Sequence, residues 1–321
     1  MFIDFHTHLF PDSVAPRAVD TLIAGTLREE GRALPPRAEA TESGILSLMQ
    51  SECIPLSVVL PIATKPSQTD SICTFAASLN ERYRSAVQDT VAYLKALPVS
   101  TLETPCDDTL PVVMSPALCM PTEQERQFMP PPALVSFASF HPDDLNAEDR
   151  LKRIAEDGFL GIKLHPEFQH FDIASPRVIK LLQLAENLGL VTVIHAGRDV
   201  GMPPPAHAAP EAISHVLEYI EGNRFVAAHM GGFRMWDDVE KHLVGKPLYL
   251  DTSYLGLWDG EPTSSQFRRI LCAHGTKKIL FGSDYPWKTP REVVGRLKTL
   301  CLSEGQLADI FRRNAIRLLF S

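Results

Sequence analysis

The chain opens MFIDFHTHLF, with two imidazoles, His6 and His8, one residue apart. Residues at i and i+2 share a face only in an extended strand, whereas on a helix they diverge. Ile3-Asp4-Phe5 reads as a short buried strand, so both histidines project from its C-terminal end. Two neutral imidazoles side by side suit a transition metal; the alternative is one core histidine and one surface histidine. Other residues capable of chemistry recur in the same setting, directly after short apolar runs. They are Lys163 and His165 in GIKLHP, His195 in VTVIHAG, His229 in FVAAHMGG, Asp284 in LFGSDYPW and His141 in SFHP. A lone histidine in such a place is ordinarily a hydrogen-bonded structural residue. Six of the 11 histidines sharing that placement point to a joint cause, a metal site.

These residues need elements that aim them at one point. Apolar, β-branched runs occur at 2–5, 56–60, 133–137, 160–164, 190–194, 224–228, 247–250 and 278–281, eight in all. Helical patterns separate them, as in SPRVIKLLQLAENLG, which has a Ser-Pro start and a Gly stop. Further helices are expected at 146–157, 209–221, 234–244, 262–273, 290–300 and 303–319. Eight strand–helix units predict an α/β fold, a (β/α)8 barrel, with chemistry gathered at the C-terminal strand ends. Unbroken apolar strands fit strands covered on both faces. The expected organisation is a single domain over 1–321. Residues 28–40 connect two helical pieces. The proline-rich stretch 86–132, between strands two and three, is an insertion or lid whose first part extends a helix.

Bulk properties exclude several classes. The chain has 321 residues, a net charge of −8 and no long basic run, which argues against nucleic-acid binding and leaves a small-molecule substrate. No stretch is long and apolar enough for a membrane span. The start lacks a basic region followed by an apolar one, and cleavage there would remove His6 and His8. Six scattered cysteines without C-x-x-C spacing fit a reducing compartment, so the expected location is the cytoplasm. A homodimer is compatible with a barrel of this kind. His170, His207, His215, His242 and His274 fall in loops or helices and read as solvated.

The order DFHTH, GIKLHP, IHAG, AHMGG, FGSDYPW and terminal NAIRLLF resembles the amidohydrolase superfamily, specifically its amidohydrolase-2 branch of metal-dependent hydrolases and decarboxylases. The resemblance covers nearly the whole chain. It implies that His6, His8, His195 and Asp284 hold one divalent ion, with zinc first and manganese or iron as alternatives. It also implies that His229 orients or protonates substrate. Zinc lowers the pKa of bound water to about 7, making hydroxide available at neutral pH. Asp284 can take the water's proton and hand it to a leaving group. Lys163 and His165 alternate, so both face the barrel if either does. Some binuclear members of the superfamily carboxylate a strand-four lysine; a lysine paired with a carboxylate inside the barrel is the other reading. His165 and His141 are expected to line the pocket, and Arg198 to grip a substrate carboxylate unless it is a surface loop arginine. Tyr254 and Trp287 would form an apolar wall or cover the rim. The expected activity is hydrolysis of an ester, lactone or amide. The alternatives are nonoxidative decarboxylation on the same ligands and, last, a non-catalytic metal-binding barrel.

Overall fold

The structure, a computed structural model, describes residues 1–97, 126–255, 262–300 and 302–321. Eight short strands run in chain order: β1 (Ile3–Thr7), β2 (Leu56–Val59), β3 (Ala133–Ser136), β4 (Gly161–Leu164), β5 (Val191–Ile194), β6 (Phe225–Ala227), β7 (Tyr249–Asp251) and β8 (Ile279–Leu280). All neighbours are parallel, in the orders β1-β2-β3 and β4-β5-β6-β7-β8. Backbone hydrogen bonds close both seams. Ala138 N donates to Gly161 O and Lys163 N to Ala138 O, each at 2.9 Å. On the other side Phe5 N donates to Phe281 O at 2.8 Å and Asp284 N to His6 O at 2.9 Å. The strands therefore form a ring, as eight βα units require.

Alternate strand residues enter two separate apolar clusters. Ile3, Phe5, Val58, Val135, Val193, Val226 and Leu280 pack with one another inside the ring. Leu134, Ile162, Leu164, Ile194 and Leu250 pack instead with helix residues such as Leu151, Val178 and Leu182. This two-sided burial is why the strands read as unbroken apolar runs. On β4 the inward register carries Lys163 and, at the strand end, His165.

The helices start where local chemistry supports a start. Ser175 Oγ accepts from Val178 N ahead of Pro176–Asn187. Thr289 and Glu292 form a capping box on Pro290–Lys298, as do Ser303 and Gln306 on Glu304–Ala308. Helices Ala15–Glu30 and Glu42–Glu52 flank the expected connection. In the stretch 86–132, residues up to 96 belong to helix Thr69–Ala96. Residues 98–125 lie outside the described ones. Among the described residues no helix is long and apolar enough to cross a membrane. His274 corrects one expectation: it is buried and its Nε2 lies 3.0 Å from Leu248 O, tying its helix to the barrel rather than facing solvent.

Candidate metal centre

At the C-terminal end of the ring, β1 and the turn after β8 bring three ligand atoms together. His6 Nε2 and His8 Nε2 are 3.2 Å apart. Asp284 Oδ1 lies 3.5 Å from the first and 3.2 Å from the second. With metal–ligand bonds of about 2.0–2.2 Å, tetrahedral ligands stand about 3.3–3.6 Å apart. The triangle thus has close to the size of one tetrahedral face. Two accommodations make it possible. Gly282 passes under His6, where an added Cβ would come within 2.7 Å of the His6 Cβ. Asp284 adopts a left-handed backbone with φ 72°. Its turn is clamped by buried Asp4, which accepts from Ser283 N at 2.8 Å and from Ser283 Oγ at 2.6 Å.

Hydrogen bonds assign the nitrogens. His6 Nδ1 is 2.8 Å from Asp251 Oδ2, and His8 Nδ1 is 2.8 Å from Leu60 O. Both acceptors require the proton on Nδ1, which leaves the Nε2 lone pairs for an ion. Asp251 organises a second branch. Its Oδ1 accepts from Ser253 Oγ in a short bond, and from His229 N and Ser253 N at 3.0 Å. With its proton committed to Asp251, Ser253 Oγ accepts from His229 Nδ1 at 2.8 Å. His229 Nε2 then carries a lone pair and accepts from His195 Nδ1 at 3.0 Å.

The electrostatics agree. Burial lowers the pKa of His6 to about 3, helped by the Lys163 charge and opposed by Asp251, so His6 is neutral. Burial holds His165 and His195 well below the ordinary histidine value and lowers His229. Burial also opposes the charges of Asp251 and Asp284, but their histidine partners outweigh it and keep both carboxylates ionised. Lys163 Nζ lies 3.4 Å from His6 Nε2; burial brings its pKa down to about 8, against the pull of Asp251, Asp284 and Asp199.

His195, expected with His6, His8 and Asp284, is grouped differently. Among the described residues, the ligand-type atoms that gather are those of His6, His8 and Asp284 and, separately, those of His165, His195 and Asp199. The His229 ring lies between, with centroids 5.2 Å from His6 and 4.7 Å from His195. Tyr254 stands edge-on to both His229 and Phe233. His141 is buried and its Nδ1 accepts from Asp143 N, a turn of its own outside both groups. Arg198 is exposed, and Trp287 is half-buried in the turn after Asp284. Asp251, Ser253 and Asp199 went unread in the sequence. A β7 run taken one residue further would have exposed Asp251 as one more polar strand end. Asp199, four residues into a loop, carries no such signal.

A family model described as amidohydrolase, the second of that name, matches residues 3–320. The chain belongs to this amidohydrolase-2 family. It is accordingly an enzyme, of a metal-dependent family that acts on small molecules. No curated protein matches it. Solved structures share the fold at low identity. A TIM-barrel protein from Bordetella bronchiseptica is 15% identical with a TM-score of 0.64, covering 99% of this chain and 98% of that one. 5-Carboxyvanillate decarboxylase from Sphingomonas paucimobilis is 16% identical with a TM-score of 0.55, at the same coverage. A probable 2-pyrone-4,6-dicarboxylic acid hydrolase from Acinetobacter baumannii, with citric acid bound, is 16% identical with a TM-score of 0.53, again covering 99% and 98%.

Proposed function

We propose that this amidohydrolase is a metal-dependent hydrolase cleaving an ester, lactone or amide of a small molecule. The observation that carries the reading is the triangle of His6 Nε2, His8 Nε2 and Asp284 Oδ1, with edges of 3.2, 3.2 and 3.5 Å. His6, His8 and Asp284 would hold the ion, which would lower the pKa of a water and polarise a carbonyl. Zinc fits two imidazoles and a carboxylate; manganese and iron accept the same donors. Asp284, held ionised, takes the proton of the attacking water and passes it to the leaving group. His229 offers a lone pair at Nε2 and so starts as a proton acceptor. Lys163, protonated near neutrality, supplies positive charge beside the reacting centre.

Nonoxidative decarboxylation is the second reading, supported by the similar folds of 5-carboxyvanillate and 2,6-dihydroxybenzoate decarboxylases. That reaction must deliver a proton to carbon, and the resting His229 has none at Nε2, so hydrolysis ranks first. The free thiols of Cys53 and Cys73 fit work in a reducing compartment such as the cytoplasm. The family match over 3–320 supports reading the chain as one domain.

The test starts with metal content of the purified chain beside a His6→Ala/His8→Ala variant. Turnover is then measured on esters, lactones, amides and carboxylated phenols, scoring carboxylate formation against carbon dioxide release. Metal loss in the variant with carboxylate as product is expected. Carbon dioxide release would install the second reading, and metal content indifferent to the two histidines would overturn both.

A further inference from the structure

We propose that residues 11–40, built on helix Ala15–Glu30, form a lid over the C-terminal mouth of the ring, hinged beside β1 and β8 and latched on the far side by Glu30 and Arg234. The hinge is a pair of neighbouring anchor points. Phe10 N donates to Ala40 O at 2.8 Å, and Arg37 N donates to Pro286 O at 2.7 Å. The segment therefore leaves the barrel and returns to it at one place. Between those points its helix, 16 residues and about 24 Å long, reaches the loops after β5 and β6, across the ring from β1.

The catch is a rigid shelf. Phe233 N donates to Ala196 O at 2.9 Å and Arg198 N to Phe233 O at 3.0 Å, tying the two loops together. Arg234 stands on this shelf in left-handed backbone, φ 58°, with its guanidinium 5.2 Å from the Phe233 ring centroid. Both terminal nitrogens grip the Glu30 carboxylate, Nη2 to Oε2 at 3.2 Å and Nη1 to Oε1 in a shorter bond. Beside this latch the backbones of Gly25 and Gly201 come together: a Cβ added at Gly25 would lie 3.2 Å from Gly201 O. The latch adjoins the candidate centre. Phe233 is edge-on to His229 with centroids 6.4 Å apart, and the charges of Glu30 and Arg234 act on the Tyr254 hydroxyl together with those of Asp284 and Asp199.

The segment is fastened lightly. Its helix buries only Ala15, Gly25 and Thr26, whereas helix Pro176–Asn187, packed on the strands, buries Val178, Ile179, Leu181, Leu182 and Ala185. Little apolar surface therefore meets water when the segment lifts. Leu34 N donates to Thr26 Oγ1 at 3.0 Å, a bond internal to the segment that lets it move as a unit. Its far end is held by an ion pair whose side chains are 23% and 21% exposed, a contact that salt screens. Such a segment opens without unfolding the barrel, and closing over a site is how a lid excludes water. The assignment rests on the candidate centre being the working site.

Two measurements on the full-length protein test it. The first is amide hydrogen exchange read by mass spectrometry. Glu30→Gln is expected to accelerate exchange in peptides from 15–36 by about 2–5-fold, the effect of an ion pair of this exposure, with peptides from the strands unchanged. High salt should do the same to wild type and add nothing to the variant. The second measurement is cobalt(II) uptake by protein stripped with a chelator, in Gly25→Cys/Gly201→Cys. A Cβ at Gly25 stands 3.5 Å from Gly201 Cα, within disulfide reach. The oxidised staple should slow uptake at unchanged final content, and reductant should restore the wild-type rate. Exchange in 15–36 that is indifferent to Glu30→Gln, or that rises equally in the strands, overturns the lid. So does cobalt entering the stapled protein as fast as the reduced one. Protein that takes up no cobalt in any form fails the proposed function instead, and the exchange result alone then decides the lid.

Discussion

Asp251→Asn tests whether one carboxylate sets the chemistry of an ion held by His6, His8 and Asp284. Among the described residues, Oδ1 of Asp251 receives three donors, from Ser253 Oγ, Ser253 N and His229 N, whereas Oδ2 receives His6 Nδ1 at 2.8 Å. An asparagine therefore keeps its carbonyl at the three-donor position and turns its amide toward His6. The amide is a donor, so His6 Nδ1 must become an acceptor and its proton must move to Nε2, the nitrogen assigned to the metal. The shape of the site survives while its ligand tautomer is reversed. Losing the outer carboxylate of a histidine ligand commonly costs 10–100-fold in metal affinity, about 1.4–2.7 kcal/mol. Because Asn imposes the wrong tautomer rather than merely removing a partner, the upper end is expected. Cobalt(II) titration of the stripped protein measures it, with thermal melting to establish that the variant is folded. His6 must remain neutral for the comparison, and burial holds its pKa near 3, far below assay pH. A folded Asp251→Asn protein binding cobalt within twofold of wild type would refute the tautomer argument.

Three further outcomes follow from neighbouring geometry. Ser253→Ala leaves the His6–Asp251 pair intact but removes the hydroxyl that receives His229 Nδ1; steady-state kinetics should show kcat reduced about tenfold, with metal content and KM little changed. Gly282→Ala drives a Cβ to within 2.7 Å of the His6 Cβ; a stability loss of about 1–3 kcal/mol and reduced metal loading are expected by denaturation and elemental analysis. Burial raises the Glu167 pKa from 4.5 to about 7 in the metal-free protein. The folded chain then keeps a proton that the unfolded chain has released, so its stability contribution is full below about pH 4.5 and falls as pH rises toward 7. Glu167→Gln abolishes that fall, and its stability relative to wild type should improve between pH 4.5 and 8 by up to roughly 3 kcal/mol. A difference that stays flat across that range in stripped protein would contradict the buried, unpaired carboxyl.

The ring was legible because its strands are covered on both sides. Residues such as Val191 and Val193 face the ring interior and Ile194 faces the helices, so each strand announces itself as an apolar run. For the same reason a polar residue at the end of a run stands out, and His6, His8, His165, His195, His229 and Asp284 were all visible that way. What stayed hidden is the layer that tells those side chains which atom to use. Asp251 was lost to a one-residue error in the end of β7, the ordinary uncertainty of an element boundary. Asp199 and Glu167 sit in connections, where no periodicity marks which side chain turns inward. The spacing of His195 from His6, His8 and Asp284 was equally out of reach. Strand order places His195 at the same mouth as His6 and His8. Which carboxylate its Nε2 faces depends on a proton chain running from Asp251 through Ser253 and His229, residues brought together only by folding. Tautomer is a property of the hydrogen-bond network rather than of the residue. A motif can therefore nominate ligands, but the network decides which atom each of them offers.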